Sequence, residues 1–468
     1  MNMIVDYLGY IIIIYMSLAS FFYLILFLFS AIILRRERDL NKKEPYEDLL
    51  LSDEIKPISI LVPAYNEEAG IVSSVRSLLS MNYKQFEIIV INDGSTDKTL
   101  NKMIDAYQMI EIPLVVRKQV PSKEIIRIYR SKLFDYLYIV DKINGGKADA
   151  LNAGINVSRY PYVCSLDGDS ILERDALLKV MKPIIDSNEQ VIATGGSIRI
   201  ANGCKIERGE VMEVDLPKSP LVVMQIIEYL RAFLIGRIGL SRHNLLLIIS
   251  GAFGIFNKSW VIRAGGYEPG TVGEDMELVV KLHKLIAEEG TNERIQYIAD
   301  PVCWTEAPDT FSILKRQRTR WQRGLFETLR THRTMMLNPR YKKVGLISMP
   351  YFFLIELMGA VFEAFAYIYM ISGLIFEFIS FEVTLTLFLV TWFYGSYLSM
   401  CGVLLEEWSL RRYPKKRHLV RLFLYSFTEV FWYRPINIWW RLLGIWQGIR
   451  KRSDWGVMTR KGISKDTE

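Results

Sequence analysis

Cysteine and histidine are scarce, at four residues each in 468. Cys164, Cys204, Cys303 and Cys401 form no CxxC pair, and no HExxH spacing occurs. A zinc hydrolase, a zinc finger and a disulfide framework are therefore not indicated. Neither GxGxxG nor GxxxxGK[ST] is present, which removes support for a dinucleotide or P-loop site. Net charge is also modest, at +7, and it is unevenly placed. Basic clusters flank apolar runs: Arg35, Arg36, Arg38, Lys42 and Lys43; Arg411, Arg412, Lys415, Lys416 and Arg417; Arg450, Lys451 and Arg452. That pattern suits a membrane surface and argues against a nucleic acid partner.

Apolar residues, by contrast, make up half of the chain. Residues 7–34 form a run longer than the ~20 residues a helix needs to cross a bilayer. It is too long for a signal peptide, has no basic stretch before it, and no small-residue cleavage site follows. The basic cluster after it places the N-terminus outside and Arg35 onward in the cytoplasm. Two more spans are expected at 344–376 and 383–405. Residues 419–449 hold Glu429, Arg434, Pro435 and Arg441 together with Trp432, Trp439, Trp440 and Trp446. A re-entrant or interfacial helical hairpin is expected there. Glu356 and Glu363, seven residues apart on one helix face, either line a polar path or pair with a neighbouring helix.

Between the spans the pattern changes. Residues 58–62, 86–91, 136–140 and 162–166 read as short apolar strands, with helical spacing over 69–79. Strands alternating with helices predict an α/β fold with a mostly parallel sheet. In such sheets ligands bind beyond the carboxyl ends of the strands. Polar clusters stand at those ends: PAYNEE (63–68), DGSTD (93–97) and DGD (167–169).

Several residues carry two readings each. Asp93 suits hydrogen bonds from a base or ribose, and Asp-Gly-Ser is equally a turn sequence. Asn144–Gly145–Gly146–Lys147 opens a helix over 148–157 and suits a nucleotide or its phosphates, or is a plain loop with an exposed lysine. Asp167 and Asp169 offer two hard oxygen ligands for Mg²⁺ or Mn²⁺ beside a diphosphate, or form a solvated turn. Glu274 and Asp275 are helix-capping carboxylates, or one of them is a general base, with Asp275 preferred. Gly195–Gly196 and Ser250–Gly251–Ala252–Phe253–Gly254 allow close backbone approach of an acceptor, or are turns. Gln317, Arg320, Trp321 and Gly324 share one helix face, which suits a diphosphate beside a sugar ring or a headgroup layer.

Taken in order, PAYNEE (63–68), DGSTD (93–97), NGGKADALN (144–152), DGD (167–169), GED (273–275) and QRTRW (317–321) resemble the membrane-integrated, processive members of glycosyltransferase family 2. The likeness is strongest to synthases of the poly-β-1,6-N-acetylglucosamine type and spans about residues 55–335. It implies a GT-A nucleotide-diphospho-sugar transferase domain with an inverting mechanism. By the same likeness Asp93 holds the uridine, and Asn66, Glu67 and Lys147 belong to the donor site. Asp167 and Asp169 form the metal and diphosphate site, and Asp275, beside Glu274, is the base. Gln317, Arg320 and Trp321 contact the diphosphate and the acceptor's terminal sugar.

The expected organisation is a membrane helix (1–35), a cytoplasmic transferase domain (36–308), an interfacial helix region (309–343), membrane and re-entrant helices (344–449) and a cytoplasmic tail (450–468). No cyclic-di-GMP-binding domain is expected after residue 449, so such control would come from a partner subunit. The expected activity is polymerisation of a β-linked exopolysaccharide from UDP-N-acetylglucosamine, or else UDP-glucose, at the plasma membrane. Two rivals stay open: a single transfer to a lipid acceptor, and a catalytically silent sugar-binding subunit.

Overall fold

Strand-forming runs and their polar ends translate into a sheet edge that gathers most of the motifs. The computed structural model describes residues 2–41, 46–51, 55–113, 115–168, 170–207, 210–413 and 415–450. They fall into two units, one of 38–215 and 246–307, the other of 2–37, 216–245 and 308–450.

The strands of the first unit are, in chain order, β1 (Ile58–Ala64), β2 (Phe86–Asp93), β3 (Met109–Glu111), β4 (Ile125–Ser131), β5 (Leu137–Lys142) and β6 (Tyr162–Leu166). They continue with β7 (Ile171–Leu172), β8 (Val191–Ile200), β9 (Lys205–Glu207), β10 (Glu210–Glu213), β11 (Phe253–Asn257) and β12 (Arg294–Thr305). Ten of them make one sheet in the order β3-β4-β5-β2-β1-β6-β11-β8-β12-β7, and β9 and β10 form a separate ribbon. The central run β5-β2-β1-β6 is parallel, with Ile60 opposite both Ile88 and Cys164. Antiparallel neighbours β4 and β11 flank it, so the sheet is mixed around a parallel core. Ile58, Ile60, Leu61 and Val62 are all fully buried, which is why β1 reads as a mostly apolar run; its buried Ser59 donates to Glu87 Oε1 at 2.6 Å.

The helix Lys147–Val157, after β5, is buried from Ala148 to Val157. Its two asparagines, four residues apart, therefore need partners. Asn152 bonds the Tyr267 N–H and carbonyl and the Pro121 carbonyl. Asn156 bonds the main chain of Gln119 and Val120.

The second unit is helical. Among the described residues, three helices are long and apolar enough to cross a membrane: Tyr7–Asp39, Val344–Ile375 and Phe381–Ser409. Residues 419–449 form two helices, Lys416–Thr428 and Tyr433–Ile449, broken at Glu429–Phe431. At the break, Arg231 pairs with both oxygens of Glu429, and Ser399 Oγ donates to the same carboxylate at 2.6 Å. Glu363 takes the pairing alternative: Arg434 grips its two oxygens at 2.9 Å each. Glu356 accepts from the hydroxyls of Tyr351 and Tyr23.

The helix Tyr433–Ile449 lies against the helix Phe311–Thr331 through Gly444 and Gly448. A Cβ at Gly444 would stand 2.6 Å from the Thr319 carbonyl oxygen, and one at Gly448 2.5 Å from the Phe326 ring. The spacing is the GxxxG pattern of closely approaching helices. One boundary differs from expectation. Residues 216–245 fall inside the expected 36–308 domain, yet they pack with the helical unit.

Candidate functional site

The loops after β1 and β2 are stitched together. Asn66, with a positive φ of 54°, accepts the Thr96 N–H on its Oδ1 at 2.8 Å. Its own N–H donates to Ser95 Oγ, and the Glu67 N–H donates to Thr99 Oγ1. Asp97 accepts from the Glu68 N–H. Asn66 therefore acts first as a staple that gives the carboxyl edge a fixed shape.

Asp93, at the end of β2, is 3% exposed. Its Oδ1 accepts from Lys142 Nζ at 2.6 Å and the Gly145 N–H at 2.9 Å, and its Oδ2 accepts from the Gly146 N–H at 2.7 Å. Lys142 is fully buried and also pairs with Asp149 at 2.6 Å. Both oxygens of Asp93 are thus engaged inside the protein. These contacts anchor the Gly145–Gly146 loop on the Asp93 carboxylate. Gly146 has a φ of +87°, a conformation that favours glycine, and it delivers Lys147 at the start of its helix.

Lys147 joins three elements. Its Nζ lies 2.6 Å from Asp167 Oδ1 beyond β6, 3.2 Å from Glu274 Oε1 and 3.3 Å from the Gly251 carbonyl. Burial disfavours its charge, but the Asp167 and Glu274 carboxylates outweigh that and raise its pKa above the usual lysine range. Asp275, in the first turn of the helix Glu274–Glu288, accepts the Gly251 N–H on Oδ2 at 3.1 Å and the Met276 N–H on Oδ1 at 2.8 Å. A Cβ at Gly251 would meet Lys147 Nζ at 2.8 Å, so this turn must approach the ammonium bare. Asp93, Lys147, Asp167, Glu274 and Asp275 thus belong to one hydrogen-bonded neighbourhood.

Asp169 lies outside the described residues. The carboxylate oxygens of Asp167 suit a hard divalent cation. Among the described residues no three His, Cys, Asp or Glu side chains gather to hold a metal. The donor chemistry therefore fits Mg²⁺ or Mn²⁺ only as a cation that takes most of its ligands from a diphosphate and water, as is usual for Mg²⁺.

Gln317, Arg320 and Trp321 belong to the helical unit, on the helix Phe311–Thr331. Gln317 is half-buried, and its Oε1 has no hydrogen-bond partner among the described residues. Trp321 is 45% exposed.

Residues 59–261 match the family model described as "Glycosyl transferase family 2", and residues 224–410 match "Glycosyl transferase family group 2". The chain belongs to glycosyltransferase family 2. It is 28% identical over 402 residues to a poly-β-1,6-N-acetyl-D-glucosamine synthase of Staphylococcus epidermidis, covering 84% of this chain and 85% of the relative. A synthase of the same name from Staphylococcus aureus is 31% identical over 279 residues, 59% of this chain and 56% of that one. A solved mannosyltransferase from Pyrobaculum calidifontis, in complex with GDP-Man and Mn²⁺, aligns with a TM-score of 0.51 at 15% identity. That alignment covers 88% of this chain and 98% of the other, and it supports the fold alone. The family 2 enzyme thus has a GT-A-type sheet together with apolar helices of membrane-crossing length.

Sequence reading missed Lys142, Asp149 and Tyr267. Tyr267 is buried, its main chain is held by Asn152, and its hydroxyl sits near Ser165 and the Lys147 cluster. Burial raises its pKa well above the usual phenol range. The available signal was Gly265–Gly266 just before it, both at positive φ.

Proposed function

We propose that this family 2 enzyme is an inverting, processive transferase that builds a β-linked polysaccharide from a UDP-sugar, first UDP-N-acetylglucosamine and then UDP-glucose. The observation that carries the reading is the meeting of Asp167, Lys147, Glu274 and Asp275 at the carboxyl edge of a parallel sheet. The synthase relatives, aligned over most of the chain, support the choice of product class.

In this reading Asp275 Oδ2 removes the proton of an acceptor hydroxyl as that oxygen attacks the anomeric carbon from the face opposite the diphosphate. The carbon–oxygen bond to the diphosphate breaks, and UDP leaves. Gly251, which donates to Asp275 and accepts from Lys147, keeps the base in register with the diphosphate end. Lys147 serves the diphosphate, and the family likeness alone assigns Gln317, Arg320 and Trp321 to the diphosphate and the acceptor's terminal sugar. Asp93, through Gly145 and Gly146, holds the loop on which the uridine rests, beside Asn66 and Glu67. A cation bound at Asp167 and Asp169 would neutralise charge building on the departing diphosphate. The transferase unit is cytoplasmic in this proposal, since the basic cluster at 35–43 follows the first span. The polymer then crosses the plasma membrane, with an accessory subunit as a further partner.

Membranes offered a panel of radiolabelled UDP-sugars with Mg²⁺ or Mn²⁺, followed by digestion with defined glycosidases, test the reading. A β-linked polymer of one sugar is expected. A lipid carrying a single sugar would replace it with the lipid-acceptor reading.

A further inference from the structure

The helix Phe311–Thr331 carries another arginine, Arg318, to which the mechanism gives no task. It is 3% exposed. Its Nη2 donates to Glu228 Oε2 at 2.8 Å, and the hydroxyl of Tyr433 donates to that same oxygen at 2.5 Å. Its Nε and Nη1 are buried and have no hydrogen-bond partner among the described residues. What they face is a ring: Arg318 Cζ stands 4.4 Å from the centroid of the Trp321 ring. The Tyr229 ring lies close by, with centroids 6.4 Å apart and planes tilted by 34°.

A buried N–H without an acceptor is destabilising, so a guanidinium with two idle donors needs compensation. The π face of an indole supplies it, because the ring quadrupole attracts a desolvated cation. The contact also constrains the ring. Trp321 rests on a guanidinium that Glu228 pins and Tyr433 braces, with Tyr229 beside it. What remains of the indole, nearly half its surface, is open. Only arginine combines a flat stacking surface with a charged pair to a carboxylate; a lysine ammonium is a point charge without a plane.

We infer that Arg318 is a positioning residue: clamped by Glu228 and Tyr433, it fixes the plane of Trp321 so that one indole face is presented to a sugar ring of the acceptor. The sugar contact rests on the function proposed above; the fixing of the ring does not. An indole free to rotate is competent only part of the time, and the apparent affinity falls by that fraction. Arg318→Met should therefore raise the KM for a short hexosamine oligosaccharide about tenfold, with the KM for UDP-sugar within about twofold of wild type.

The test uses the full chain in nanodiscs, labelled with 5-fluorotryptophan, and the Trp321 resonance is identified by Trp321→Phe. Arg318→Met should shift and broaden that resonance, and Arg318→Lys should restore it only in part. Because Arg318→Met leaves Glu228 unpaired, Arg318→Met/Glu228→Gln is measured beside it and should show the same change. In a Trp321→Ala background, Arg318→Met should add nothing to the acceptor KM. An unmoved Trp321 resonance in both Arg318 variants overturns the inference, and so does a full additive effect in the Trp321→Ala background. If the resonance moves but Trp321→Ala leaves the acceptor KM unchanged, the positioning stands and the sugar-contact reading fails.

Discussion

Replacing Asp275 by Asn should lower turnover by roughly 10²–10⁴-fold, the usual share of general-base help. UDP binding should survive, since the Lys147–Asp167 pair is untouched and Asn keeps one of the two acceptor oxygens that meet the Gly251 and Met276 N–H groups; calorimetry with UDP beside initial rates separates the two. Lys142→Met should act on stability instead. It strands Asp93 and Asp149, both nearly buried beside that lysine, and removing one partner of such a set costs about 3–5 kcal/mol. A melting curve of the purified protein reads that loss. His283 gives a pH dependence. Buried against the Leu246 carbonyl, it is desolvated and its pKa is lowered to about 4. The folded state then binds fewer protons than the unfolded chain, whose histidine titrates near 6.5. Stability from this group is full above pH ~6.5 and lost as pH falls toward 4, up to about 3 kcal/mol. Melting curves between pH 7 and 5 should show the decline, and His283→Asn should flatten it. Asp93 and Asp275 were visible in the sequence because DGSTD and GED are short acidic clusters at element boundaries. Lys142 and Asp149 were not, because a buried counter-ion leaves no trace in spacing.

At the level of elements, the packing of Tyr433–Ile449 on Phe311–Thr331 depends on two bare positions. Even Gly444→Ala would press a methyl to 2.6 Å from the Thr319 carbonyl, and overpacking of this kind costs about 1–3 kcal/mol. Gly448→Ala should behave similarly against Phe326, and both should lower the melting temperature and the rate together. The Glu363–Arg434 pair tethers the same C-terminal helix to the second span. Arg434→Met alone should be more damaging than Arg434→Met/Glu363→Leu, because only the single variant leaves the partly buried Glu363 carboxylate without its cation. The strands β1, β2, β5 and β6 were readable within a residue or two, since both faces of each are buried and their residues are mostly apolar. Short β3, β7 and the β9–β10 ribbon were invisible, being edge pieces set by their partners. Glu363 had two readings in the sequence, and the arginine that decides between them stands seventy-one residues away.

For the whole molecule, composition drew one continuous domain over 36–308, whereas residues 216–245 pack with the helices. That segment is apolar but carries Glu228, Arg231 and Arg237, so it resembles neither a span nor a strand. Its charges make sense only with Arg318, Tyr433 and Glu429 around them. The measurement that bears most directly on the central claim is polymer synthesis from UDP-N-acetylglucosamine by purified wild-type protein and by Asp275→Asn in the same lipid. Wild type should release UDP and lengthen a β-linked chain, while Asp275→Asn should bind UDP as tightly and make almost no product. Chain growth by Asp275→Asn at the wild-type rate would contradict the account.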